Sequence, residues 1–419
     1  MVMLNDHLYS RKNLTLHILL IHQAFAALSE PGGTRHHELA RYFSEQGHTV
    51  TIITSPISYL TGKASRSKIP WVEKQTDGES ITILRAYVYP SLHRSFAHRL
   101  INFFSFMLSS FLIGMGVKKL DLVWGTSPPI FQGLTAWALA KLKRVPFLFE
   151  VRDLWPAFAI SVGVLHQPVL IKLSEWLERF LYQHADLVVV NSPGYIQHVQ
   201  NRGARQVELV PNGTDTTMFC PSIDGTSFRQ AHALENKFVA LYAGAHGMSN
   251  DLGVVLEAAK KILPRKKIVI VLLGDGKDKA SLQAQAARDG LDNVIFLPPI
   301  PKVEMPYALA AADACIAILK PVDLYKTTYP NKVFDYMAAG KPVLLAIDGV
   351  IREVIENAGA GIPIPPGNAE ALANAILSLA DDPELVHRMG KQARQYVETN
   401  FDRSNLASKF MGIISRLLS

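Results

Sequence analysis

At 419 residues, with 48% hydrophobic content, the chain is long enough for two ordinary domains with sizeable cores. Only two cysteines, Cys220 and Cys315, occur, far apart and outside any close motif, which argues against a disulfide framework and for a reducing compartment. The formal net charge of +7 is concentrated early, where residues 1–120 carry 13 Lys/Arg against 7 Asp/Glu. Basic residues are not interleaved with aromatics in the way that argues for nucleic acid.

The chain begins with Arg11 and Lys12 ahead of a short apolar run, Ile18 to Ile21, too short for a signal-peptide core and read as a first buried strand. Strands are predicted at His17–Ile21, Thr49–Thr54, Ile81–Tyr87, Leu120–Trp124, Pro146–Glu150, Leu187–Asn191 and Val207–Val210. Helices are predicted between them at 34–46, 96–118, 130–143, 168–184 and 193–202. Such alternation argues for a parallel sheet covered by helices on both faces.

The helix at 96–118 contains an uncharged run, Leu100 to Val117, preceded by Arg94 and Arg99 and followed by Lys118 and Lys119. By length it touches the transmembrane threshold. Strands of one sheet on both sides of it argue against a span. It is therefore a buried domain helix or a helix lying on an anionic bilayer surface. The basic flanks, together with Phe103, Phe104, Phe106 and Phe111, favour the bilayer.

Turn residues cluster at Pro211-Asn-Gly-Thr-Asp215, and the alternation then restarts. Strands fit Phe238–Ala243, Ile268–Leu273, Val294–Leu297, Ala314–Ile318 and Pro342–Ala346. Helices fit 250–262, 277–288, 304–311, 331–339, 350–357 and 368–380, and the tail from Pro383 reads as helix with a break near Asn400. The expectation is an α/β chain of two doubly wound, Rossmann-like domains facing across a crevice. The first covers 1–211, the second 212–400, and a helix at 401–419 packs back on the first.

Several loops could carry chemistry. Pro31-Gly-Gly-Thr34 follows the first strand, and its Gly32 and Gly33 let backbone N–H groups approach an anion at a helix start. Gly244-Ala-His-Gly247 repeats the logic in the second half, where His246 is either a phosphate donor or a structural histidine. Gly274 and Gly276 form a third such turn. None completes a dinucleotide fingerprint or a P-loop, which disfavours nicotinamide and ATP chemistry. Glu150-Val-Arg-Asp153 ends a strand at the crevice. There Asp153 accepts a proton or orients a hydroxyl, unless Arg152 and Asp153 form a structural ion pair. His36 and His37 are adjacent on a helix and point apart. With no Cys/His cluster, no metal site is implied.

The most telling stretch is Tyr329-Pro-Asn-Lys-Val-Phe-Asp335, read as a loop entering a helix at Asn331. Lys332 and Asp335 are three residues apart in the first turns and share a face. A lysine there opposes the helix dipole, a conflict removed if an anion binds at the same end. A deeper carboxylate suits sugar hydroxyls. The other reading is an exposed lysine and a solvated aspartate.

Taken together, PGGTRHHELARYFSEQGHTVTIIT, FEVRDLWP, HADLVVVNSPGYIQHV, VELVPNGTD, LYAGAHG, VLLGDGKDKASL, NVIFLPPIPKVEMPYALAAADACIAIL and YPNKVFDYMAAGKPVLLA resemble one family over essentially the whole length. The chain resembles a family-four retaining glycosyltransferase of the GT-B fold, nearest the fucosamine-transferase-like subgroup of bacterial O-antigen and capsule synthesis. The resemblance implies a UDP-sugar donor held mainly by the second domain. The sugar, an N-acetylamino sugar, passes to a polyprenyl-diphosphate-linked saccharide. It implies a cytoplasmic protein, peripheral on the inner face of the cell membrane, with no cofactor or metal.

Of the family's two donor-site acidic residues, the second aligns with Asp335, as a ribose ligand, and the first with Thr327. The usual phosphate-binding arginine and lysine align with Ala245 and Asn250, leaving Lys332 and His246, with Gly33 opposite, as diphosphate contacts. The usual catalytic histidine aligns with Arg152, beside Asp153. The catalytic candidates are therefore Asp153, Arg152 and Lys332. The donor-binding candidates are Gly32, Gly33, Gly244, His246, Gly274, Gly276, Tyr329, Asn331, Lys332 and Asp335. Two other readings fit the same sequence: a GT-B sugar-nucleotide epimerase, and a non-catalytic membrane-associated GT-B partner protein.

Overall fold

The computed structural model describes residues 15–30, 32–57, 68–90 and 96–419. Arg11, Lys12, Pro31 and Arg94 lie outside the described residues. The first domain runs β1 (His17–Ile21), α1 (Arg35–Glu45), β2 (Thr49–Thr54), β3 (Val72–Asp77), β4 (Ile81–Ala86), α2 (Phe96–Gly116), β5 (Leu122–Ser127) and α3 (Phe131–Lys143). It continues with β6 (Phe147–Val151), α4 (Ala157–Ser161), α5 (Pro168–His184), β7 (Leu187–Val190), α6 (Ile196–Asn201) and β8 (Val207–Leu209). Its sheet has the order β3-β4-β2-β1-β5-β6-β7-β8, parallel except for β3, which pairs antiparallel with β4.

The second domain runs α7 (Thr226–Ala231), β9 (Phe238–Ala243), α8 (Leu252–Ile262), β10 (Ile268–Leu273), α9 (Lys279–Arg288), β11 (Val294–Leu297), α10 (Met305–Ala310) and β12 (Ala314–Ile318). It continues with α11 (Asn331–Ala338), β13 (Val343–Ala346), α12 (Val350–Ala358), β14 (Gly361–Pro363), α13 (Ala369–Asp381) and α14 (Pro383–Asn400), before α15 (Arg403–Leu418). Its strands are parallel in the order β11-β10-β9-β12-β13-β14.

The central strands are continuous apolar runs because helices cover both their faces. In the first domain β1 lies between β2 and β5, with Leu19 opposite Thr51 and Val123, and all but one of its residues are buried. Strand order reverses beside β1 in one sheet and beside β9 in the other. Ligands of open α/β sheets collect beyond the strand C-termini at such points.

The two domains meet along that edge. The Ser192 hydroxyl donates to the Thr327 carbonyl at 2.5 Å, and the Asn212 amide to the Tyr329 carbonyl at 2.8 Å. Phe158 stacks on Tyr325 at 5.5 Å between centroids. The chain crosses between domains twice, and the crossings are joined: Thr214 N–H donates to the Phe401 carbonyl, and Arg403 N–H to that of Thr214. After the second crossing α15 returns to the first domain, where Phe410 packs against Phe43 and Trp124.

Four elements were not expected. β3 is mostly exposed and polar, α4 and α7 are short helices without buried residues, and β14 is a three-residue edge strand. None has the apolar periodicity that identifies an element from sequence. The α2 helix also differs from expectation in detail. Phe106 is fully buried, Phe103 and Phe111 are half-buried, and of the four aromatics Phe104 alone is exposed, at 53%.

Candidate functional site

Three turns of the second domain converge. The loop after β9 carries Gly244 and His246, the loop after β10 carries Gly274 and Gly276, and α11 begins at Asn331. The two loops are nested: His246 N–H donates to the Asp275 carbonyl at 2.8 Å, and Asp278 N–H to that of His246 at 2.9 Å. A Cβ at Gly274 would overlap the Gly244 carbonyl, and one at Gly276 the His246 carbonyl. Both glycines also have positive φ, so the nesting admits no larger residue without strain.

His246 is fully buried, and neither ring nitrogen has a hydrogen-bond partner among the described residues. Burial, then Lys279 and Lys332, push its pKa down to about 4, so the ring is neutral with one donor and one acceptor to offer. The Lys332 ammonium is 3.8 Å from the centroid of the Tyr242 ring, and a Cβ on Gly244 would come 2.7 Å from it. Burial drops its pKa to about 7. The Asn331 Oδ1, at the start of the same helix, is also buried without a partner among the described residues. Buried polar atoms normally find partners. The partnerless His246 ring and the Lys332 ammonium, set beside a helix N-terminus and two glycine turns, form a cradle for an anion with several acceptor oxygens, while Asn331 Oδ1 is left to accept from a donor such as a hydroxyl.

Across the crevice, β6 ends in Glu150-Val-Arg-Asp153. Glu150 is fully buried: its carboxylate accepts from Arg35 at 2.9 Å and from His36 at 2.7 Å. Burial alone would raise its pKa, but His36 and Arg35 hold it far below the usual carboxylate range. Arg35 also donates to the Val210 and Pro211 carbonyls, which ties this cluster to the interdomain linker. His36 is pushed down to about 4 by burial and is a neutral donor.

Arg152 donates from Nη1 to His22 Nε2 at 2.8 Å, and its Nη2 lies 3.9 Å from where a Gly33 Cβ would stand. Burial, then His36 and Arg152, lower the His22 pKa well below its ordinary value, so it accepts as a neutral ring. The Asp153 side chain is exposed to solvent, with Arg152, Tyr195 and Tyr325 close enough to interact with it electrostatically. Burial raises its pKa to about 6 against the opposing effect of Arg152. That is the range for exchanging a proton near neutral pH.

The structure thus gathers Gly244, His246, Gly274, Gly276, Asn331 and Lys332 on one wall, and Gly33, Arg152 and Asp153 on the other. Gly32 precedes the latter group with φ +146°. The alternative of an Arg152–Asp153 ion pair is corrected, because the guanidinium turns instead to His22.

Two expected donor residues are placed otherwise. Asp335 does not share the surroundings of Lys332: one oxygen pairs with the Lys302 ammonium at 2.5 Å and the other accepts from Thr214 at 2.8 Å, all three side chains being buried. The expectation of free oxygens there is corrected, since the short aspartate is consumed by its own helix's packing against the linker. The Tyr329 ring packs against Phe334 and Phe401, leaving its neighbourhood rather than its ring to the site.

Sequence reasoning missed His22 and Tyr242. The signal for both was positional: His22 directly follows β1 and Tyr242 is the penultimate residue of β9, each ahead of a glycine loop. Among the described residues no group of three or more His, Cys, Asp or Glu could hold a metal ion.

Comparison with known proteins agrees with this division. Residues 32–213 match the family described as "Glycosyl transferase 4-like domain", and residues 224–396 match "Glycosyl transferases group 1". WcaI of Escherichia coli strain K12, a glycosyl transferase assigned to colanic acid biosynthesis, is 25% identical over 90% of this chain and 94% of its own. Sucrose-phosphate synthase from Thermosynechococcus elongatus superposes with a TM-score of 0.78 at 19% identity, over 96% of this chain and 99% of its own. Anabaena Alr3699/HepE, solved with UDP and glucose, superposes with a TM-score of 0.72 at 17% identity, over 96% and 100%. The shared fold is GT-B.

Proposed function

We propose that this glycosyltransferase, a 4-like domain followed by a group 1 domain on the GT-B fold, moves a sugar from a UDP-sugar to a lipid-linked saccharide with retention. The observation that carries the reading is the cradle of the Lys332 ammonium and the partnerless His246 ring at the α11 N-terminus, with Arg152 and Asp153 on the opposite wall. The complex of HepE with UDP supports a uridine nucleotide as its occupant. The description of WcaI supports a role in bacterial surface polysaccharide synthesis. The likeness of RDLWP and the α2 run to fucosamine-transferase-like enzymes supports an N-acetylamino sugar and a polyprenyl-diphosphate carrier.

Cleavage of the donor bond leaves an oxocarbenium-like sugar and puts negative charge on the departing diphosphate. Lys332, the α11 N-terminus and the neutral His246 ring stabilise that charge as it develops. Arg152 meets it from the first domain beside Gly33. The acceptor hydroxyl attacks from the face the diphosphate leaves, which gives retention without an enzyme nucleophile. Asp153 takes the hydroxyl proton. No step requires a metal.

The acceptor arrives from an anionic membrane surface at the cytoplasmic face. Support comes from one apolar stripe on α2, exposed at Ile101, Phe104, Leu108, Leu112 and Met115, and a second on α5 at Val169, Leu173 and Trp176. Arg99, Lys118 and Lys119 flank the first stripe.

Purified protein given UDP-N-acetyl sugars and a polyprenyl-diphosphate acceptor should release UDP only when both are present. Lys332→Ala and Asp153→Asn should each lower turnover at least a hundredfold while remaining folded. Normal turnover in either variant, or conversion of the donor without acceptor, would sink the reading.

A further inference from the structure

We propose that Tyr242 is a positioning residue for the donor diphosphate, its ring carrying the Lys332 ammonium and its hydroxyl holding the loop that presents His246. The inference rests on Lys332 contacting the diphosphate as proposed above.

Tyr242 lies in β9, fully buried, two residues before Gly244. The Lys332 ammonium stands over its ring at 3.8 Å, inside the range of a cation–π contact. The lysine has three donors, which meet no protein acceptor among the described residues. The ring face is what compensates its charge until an anion arrives. The other end of the same side chain has a different duty: its hydroxyl donates to the Ala245 carbonyl at 2.7 Å. That bond pins the loop between Gly244, which the ammonium crowds, and His246, whose ring lies 6.0 Å from that of Tyr242. A phenylalanine would keep the first contact and lose the second. A leucine would lose both.

The groups facing Lys332 from the surrounding elements leave its charge unbalanced. From β9 there is the neutral phenol, whose pKa burial raises. From the following loop there is neutral His246, and beyond it Lys279 at the start of α9 and Asp275 in the loop before it. Lys279 is engaged with the Gly274 and Leu297 carbonyls. On its own helix Asp335 is paired with Lys302. A diphosphate completes this set, and its arrival raises the Lys332 pKa from a low free-state value, so binding takes up a proton near neutral pH.

The test is calorimetry of UDP binding to the full chain from pH 6 to 9, in buffers of different ionisation enthalpy. Wild type should bind more weakly as pH rises through about 7, with proton uptake. Tyr242→Phe should keep that midpoint and lose a few-fold in affinity. Tyr242→Leu should move the midpoint down by about half a unit or more, because the charged lysine has lost its ring, and weaken binding at least tenfold at pH 7. Tyr242→Met replaces it if the leucine variant does not fold. In a Lys332→Met background the ring substitution should change the pH dependence no further. UDP binding with an unmoved midpoint in Tyr242→Leu, or Tyr242→Phe as damaged as Tyr242→Leu, would overturn the inference alone. Absence of UDP binding by wild type would overturn the donor reading with it.

Discussion

Asp153 and Lys332 are drawn toward neutral pH from opposite directions by the same cause. Burial penalises whichever form is charged, so the carboxyl rises to about 6 and the ammonium falls to about 7. The productive pair has Asp153 ionised and Lys332 protonated. The second-order rate constant kcat/KM should therefore climb as pH passes about 6 and decline above about 7. kcat should hold to higher pH, because bound diphosphate keeps the lysine charged. The same shift has a stability side. An acid whose folded pKa is raised destabilises the fold above that pKa, and the penalty vanishes below the unfolded value near 3.8. Asp153→Asn should thus raise the melting temperature at pH 8 and leave it unchanged at pH 3.5 while abolishing transfer. A lower melting temperature at pH 8 would show that Asp153 is structural. At this scale the sequence was informative about the crevice residues, because charges at the end of an apolar strand demand an explanation. It was silent on partners. Nothing in Lys302 or Thr214 announced that Asp335 belonged to them, since those residues lie 33 and 121 positions away.

The helix α2 shows what periodicity can and cannot tell. Its length and composition would allow a membrane crossing, yet the flanking β4 and β5 belong to one sheet, so it returns to the side it left. Only 28% of its most apolar window is buried. The buried face is anchored by Phe106 and by Asn102, whose amide donates to the Tyr89 carbonyl at 2.6 Å. The opposite face leaves Leu108 60% exposed in line with Phe104 and Leu112. Substituting Leu108 and Leu112 by serine should reduce flotation with anionic liposomes several-fold and leave the melting temperature within about a degree, because exposed positions contribute little to folding. Unchanged flotation would remove this helix from the membrane contact. Most of the parallel strands were legible because they lie in apolar runs, whereas β14 is too short to carry one. β3 was not, because an edge strand with one polar face and an exposed flank has no such run.

The whole molecule is joined at a buried charged cluster where its two crossings meet. Arg403 faces Glu38 of α1 at 3.6 Å and donates to the Gly213 carbonyl, while Lys302 and Asp335 pair on the far side of Thr214. Glu38 is held below its usual range by Arg403 and Lys302 in spite of its burial. The helix that starts at the donor cradle and the helix that the Gly33 loop leads into are thus bonded to one joint. Lys302→Met strands the Asp335 carboxylate and should cost about 3 kcal/mol or more in urea unfolding. Adding Asp335→Leu should recover most of it, because an apolar pair can replace a buried ionic one. No recovery would mean that the pair does more than neutralise itself.

The return of α15 also sets an order of events during synthesis. Phe410, Ile413 and Ile414 belong to the core of the first domain, against Phe43 and Trp124. That domain's last strand ends at Leu209, about 200 residues before α15 begins. A ribosome adding 5–20 residues per second needs roughly 10 to 40 s to make up that distance. Through that interval the nascent first domain presents an open greasy flank, a natural holding site for a chaperone, and the growing chain has to finish one lobe before it can seal the other.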